Sequence, residues 1–137
     1  MAPHKEVSRA MAESMVMIAA ADGQIHKQEQ ILMLKALKAL WSPGLGSIKC
    51  AVVAAFRDVK LANDFGMDIK KIMQNHATLM SKIFTGKEKK YFLNQMERLM
   101  RADDDLDKRE VVLYTLCREY IRPDAGLMGA LKSFFGK

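Results

Sequence analysis

Apolar residues recur at three- and four-residue steps along almost the whole chain, and no run alternates apolar with polar as a half-buried strand would. That spacing leaves one class of fold, an all-α bundle. The first run, from about Lys5 to Ala20, repeats Val7, Met11, Met15, Ile18 and Ala19. The second, from about Lys27 to Trp41, places Ile31, Leu34, Leu37 and Trp41 on one face and is stopped by Ser42-Pro43-Gly44. Ser47 is placed to cap a third helix reaching about Ala62, expected to be buried through Val52, Val53 and Phe56. After the turn at Asn63 to Gly66, Asp68 opens a fourth that carries Ile69, Ile72, Met73, Leu79 and Met80 toward Phe84. Thr85 with Glu88 three residues on is a capping box, and it begins a fifth helix bearing Leu93, Met96, Leu99 and Met100. A sixth runs from about Asp107 to Ile121, before Pro123, and a short seventh from Asp124 to Phe135. The expectation is a single helical-bundle domain over residues 1–137, of about seven helices.

Within that pattern one stretch occurs twice. Ala21-Asp22-Gly23-Gln24-Ile25-His26-Lys27-Gln28-Glu29 and Ala102-Asp103-Asp104-Asp105-Leu106-Asp107-Lys108-Arg109-Glu110 share an Ala-Asp opening. They also share an aliphatic residue three positions after that Asp, a Lys five after it and a Glu seven after it. The two aspartates stand 81 residues apart (103 − 22 = 81), and the aliphatic match continues from Ile31 to Val112 and from Leu32 to Leu113. This is an internal repeat whose period is too long for a stacked solenoid unit. It implies two related halves, each a helix, an acidic loop and a helix, with the third and fourth helices inserted between them.

The acidic loops concentrate the chemistry. Asp103, Asp104, Asp105, Asp107 and Glu110 set five carboxylates in eight residues. Two such charges about 4 Å apart repel by roughly 4 kcal/mol at the effective dielectric of a protein surface. Convergence therefore needs a cation, close basic neighbours or generous hydration. Hard oxygen ligands suit calcium, magnesium or manganese better than zinc or copper. A simpler reading is available for part of the set, because Asp107 to Glu110 is itself a capping box and acidic residues at a helix N-terminus are stabilised by the macrodipole. Capping does not account for Asp22 and Asp103 recurring at one distance from Glu29 and Glu110. The loop is not an EF-hand: twelve-residue spacing from Asp103 puts Tyr114 where a bidentate acid is required and Lys108 where Gly is required.

The pair of motifs, ADGxxxxxE opening a helix and an AD-rich second copy with the same Asp-to-Glu spacing, resembles the tellurite-resistance TerB-like family. The likeness covers the chain from the first helix to the sixth. It implies a helical bundle tied to stress responses and membrane-associated complexes, with divalent metal chelated by the acidic motif. By that likeness Asp22 and Glu29, then Asp103 and Glu110, are the candidate metal ligands, with Asp104, Asp105 and Asp107 as helpers. Two departures are visible: Asp104 replaces Gly23, and the first loop offers Gln24 and His26 where the second has Asp105 and Asp107.

Composition narrows the function classes. The formal net charge of +6 is concentrated between Ser47 and Arg101, where eleven Lys/Arg face five Asp/Glu. Those cations are interleaved with apolar helix positions, without an aromatic stacking platform or a Gly-rich phosphate loop, so a solvated face is expected rather than a nucleic-acid surface. Met11, Met15, Met73, Met80, Met96 and Met100, six of eleven methionines, fall on inferred core faces. Cys50 and Cys117 lie in apolar helical patterns and are expected as buried, reduced thiols. Lys5 and Arg9 before an Ala/Met run imitate a leader, but Glu13 interrupts it, and no uncharged run approaches the ~20 residues of a membrane span. The terminal GLMGALKSFFGK, with Lys132 and Lys137 opposite an apolar side, is expected to dock onto the bundle. His4, His26 and His76 are scattered and no nucleophile has a paired base signature, so no enzyme and no small-molecule substrate are expected. The expected function is a cytoplasmic metal-binding adaptor or sensor that engages a protein partner, with peripheral membrane association as a further expectation. The alternatives are a metal-independent interaction or inhibitor module, and a basic-face binder of nucleic acid or anionic membrane.

Overall fold

A computed structural model describes residues 4–20, 27–41, 46–102 and 108–121. The described residues form six α-helices: α1 (His4–Ala19), α2 (Lys27–Leu40), α3 (Ile48–Asp64), α4 (Ile69–Ile83), α5 (Gly86–Arg101) and α6 (Lys108–Tyr120). Each begins and ends within two residues of where the apolar spacing puts it. The seventh expected helix, Asp124 to Phe135, lies outside the described residues.

Local chemistry sets the boundaries. The Ser47 hydroxyl accepts from the Cys50 N–H at 3.3 Å and the Asp68 carboxylate from the Lys71 N–H at 3.2 Å, so each caps the helix that follows. Thr85 and Glu88 bond reciprocally, with Glu88 N–H to Thr85 Oγ1 at 3.2 Å and Thr85 N–H to Glu88 Oε1 at 2.8 Å, as the capping-box spacing requires. Gly66, at φ +69°, takes the left-handed turn that separates α3 from α4. The α2–α3 connection is pinned by the Trp41 indole N–H donating to the Gly46 carbonyl at 3.0 Å.

The architecture is one central helix ringed by five. From Val7 to Ala19 every residue of α1 is buried except Arg9, the condition of a helix enclosed on all sides. Its Ala10, Ala12, Ala19, Ser8 and Ser14 are small enough for neighbouring backbones to approach closely. α1 packs against α2, α3, α4, α5 and α6; around it α4 meets α6, α6 meets α5, α5 meets α2 and α2 meets α3. α3 and α4 make little contact with each other, so the ring has a seam there. The core joins α1 to Met33, Leu37, Met73, Met80, Phe92 and Met96. All six methionines expected inside are buried.

Two faces differ from expectation. On α2 the buried apolar residues are Met33, Ala36 and Leu37, while Ile31 is exposed. On α3 they are Ala55, Val59 and Ala62, and Val53 and Phe56 face outward at 67% and 41% exposure. α3 turns its alanines to the central helix, which lets the two backbones approach at the expense of its larger side chains. Cys117 is buried as expected, and burial pushes its thiol up to about 12, so it stays protonated. Cys50 is exposed, contrary to expectation. Among the described residues no helix is long and apolar enough to cross a membrane.

Ser14, wholly buried on α1, makes no hydrogen bond through its Oγ among the described residues. An unmet buried hydroxyl costs about 1–3 kcal/mol, and Ala is the better helix former. Ser14→Ala is expected to stabilise the fold by about 1 kcal/mol, read from the urea midpoint.

Candidate functional site

Four helices of this bundle carry a glutamate at their third residue: Glu6 on α1, which is exposed, Glu29 on α2, Glu88 on α5 and Glu110 on α6. Glu88 does what that position ordinarily asks, closing the capping box with Thr85 from a half-buried setting. Glu29 and Glu110 are different: only 2% and 1% of their surface is exposed. They are also the two glutamates of the repeat, 81 residues apart (110 − 29 = 81). A carboxylate is seldom withdrawn so far from water unless other groups compensate it.

The aspartate half of each inferred pair, Asp22 in the first stretch and Asp103, Asp104, Asp105 and Asp107 in the second, lies outside the described residues, as does His26. The residues flanking those stretches are placed. Ala20 at the end of α1 and Lys108 at the start of α6 line one cavity. The end of α1 and the start of α6 therefore lie at the same end of the bundle. Among the described residues no group of three or more His, Cys, Asp or Glu side chains is arranged to hold a metal ion. The donor set under consideration, five aspartates and two glutamates, is all hard oxygen, which fits calcium, magnesium or manganese.

A third buried carboxylate, outside the candidate metal ligands, lies on α1. Glu13 on α1 has a side chain only 6% exposed, with one oxygen 2.7 Å from Arg9 Nε and the other 2.8 Å from His76 Nε2 on α4. Arg9 reaches across to Asp58 on α3 at 3.5 Å. Asp58, Arg9, Glu13 and His76 thus form a polar chain that ties α3 and α4 to the central helix along their open seam. Burial alone would raise the Glu13 carboxyl. The hydrogen bonds from His76 and Arg9, with their charges, outweigh it and bring the group down to about 2. The same hydrogen bond raises the Arg9 guanidinium. The sequence signal was a lone acid in an apolar run with an arginine four residues earlier; His76, 63 residues away, gave none.

No protein-family model matches this chain, and no curated protein or solved structure matches it.

Proposed function

We propose that the chain is a TerB-like adaptor or sensor, cytoplasmic and linked to stress response, that binds divalent metal through its two acidic stretches and engages a protein partner. The likeness to that family rests on the two motif copies. The observation that carries the metal reading is the deep burial of Glu29 and Glu110 at matching positions of the repeat, where the comparable Glu88 stays partly in water. In this reading Asp22 joins Glu29, Asp103 joins Glu110, and Asp104, Asp105 and Asp107 complete the second set, the two halves being related by a rough twofold axis. The bound ion offsets carboxylates held close together and fixes each connection between helices. The partner half of the proposal is supported by α3, where Val53 and Phe56 lie exposed beside Lys49, Arg57 and Lys60; exposed apolar surface rimmed by charge is the composition of an interaction face.

Calorimetric titration with calcium, magnesium and manganese, paired with thermal melts, tests it. Saturable binding is expected for one of the ions, with about 2.7 kcal/mol of added stability at a hundredfold excess over Kd. Asp103→Asn and Glu110→Gln are expected to weaken binding at least tenfold. The absence of heat and of a melting shift with all three ions sinks the metal reading. Partner capture that survives a chelator would then favour the metal-independent interaction module.

A further inference from the structure

The α3–α4 seam opens, at the end of α1 and the start of α6, into a cavity of about 440 Å³ walled by α1, α3, α4 and α6. That volume lies within the range of small-molecule sites. Its floor is apolar and deep: Met17, Val59 and Leu113 are exposed by no more than 6%. Ile69 and Val112 continue the wall outward. Lys70, Lys108 and Arg109 stand exposed at the mouth with the Asn63 amide. The cations come from two neighbouring helices, α4 and α6. No carboxylate and no aromatic ring belongs to the described lining.

We propose that this cavity binds a single aliphatic chain with an anionic head, the chain against Met17, Val59 and Leu113 and the head at Lys70, Lys108 and Arg109. The gradient from buried hydrocarbon to exposed cations sets the direction of entry, because the tail gains by leaving water and the head keeps its hydration beside opposite charge. Walls of aliphatic and thioether side chains offer a flexible chain many weak contacts, but they give a nucleobase or other planar ring no stacking partner. Guanidinium and ammonium donors recognise carboxylate and phosphate heads alike. The site does not depend on an ion at the acidic stretches, and EDTA in the buffer separates the two.

The experiment titrates the full chain, with EDTA present, with decanoate, decyl phosphate, decyltrimethylammonium and acetate below their micelle concentrations. Binding is followed by calorimetry and by methyl chemical shifts of Val112 and Leu113. Saturable one-to-one binding of decanoate or decyl phosphate is expected, the tighter of the two identifying the head, with acetate and the cationic amphiphile at least tenfold weaker. Lys70→Glu and Lys108→Glu, both at exposed positions, are expected to weaken the anion at least tenfold. Val112→Asp, at 40% exposure, is expected to do the same from the wall. Circular dichroism confirms that each variant is folded. The proposal is overturned if neither anion saturates, if decyltrimethylammonium binds as tightly, or if both lysine reversals leave the affinity unchanged.

Discussion

Acidification from the ordinary glutamate value of 4.5 to about 2 is expected to remove up to about 3 kcal/mol of folding stability through Glu13 alone. The sign follows from the lowered carboxyl. Above pH 4.5 Glu13 is ionised in both folded and unfolded chains, so its own protonation no longer changes the stability. As the pH falls the unfolded chain takes up the proton first, and the advantage of the folded state is gone once the pH passes about 2. The Glu13 side chain is 6% exposed but that of Arg9 is 68% exposed, so solvent screens the Arg9 share and about 3 kcal/mol is an upper bound. Other carboxylates titrate over the same interval, so the contribution is isolated by comparison with Glu13→Gln. That variant is expected to be up to about 3 kcal/mol less stable than the parent at pH 7 and to converge with it near pH 2, measured by urea unfolding at successive pH values. A stability gap that stays constant across that range would show that the charge on Glu13 contributes nothing.

Phe92→Ala is expected to cost about 3–5 kcal/mol, lowering the melting temperature by roughly 10–20 °C. The ring is wholly buried in the core and lies 5.8 Å from the Phe84 ring at an interplanar angle of 54°, a tilted geometry that adds to simple burial. Truncation leaves a cavity that the surrounding helices, held against α1, fill only in part. Phe65→Ala is the control. That ring is 78% exposed at the end of α3, and its loss is expected to change stability by less than about 0.5 kcal/mol. Equal losses from the two substitutions would mean that the core is not centred where the six helices place it.

Helix positions were legible in the sequence because caps and breakers act locally. Ser47, Asp68 and the Thr85–Glu88 box each do in the fold what their spacing announced. Faces were less legible where apolar residues run consecutively. α2 contains Ile31-Leu32-Met33-Leu34 and α3 contains Ala51 through Phe56 without a polar break, so periodicity alone cannot choose which side turns inward. In α3 the choice falls to alanine because the central helix demands close approach, a tertiary requirement with no local signature. The candidate site divides in the same way. The recurrence of Glu29 and Glu110 marked them before their burial was visible, whereas the Glu13–His76 pairing joins residues that only the bundle brings together.

The enclosure of α1 fixes an order of events during synthesis. This segment leaves the ribosome ahead of every helix that will cover it, and α6, which completes the wall, comes last among them. Its methionine-rich surface therefore has to wait, solvated or sheltered by chaperones, until about a hundred further residues have been translated. Nascent chains stalled before Lys108 should present that surface to proteases, and release of α6 should close it in one cooperative step.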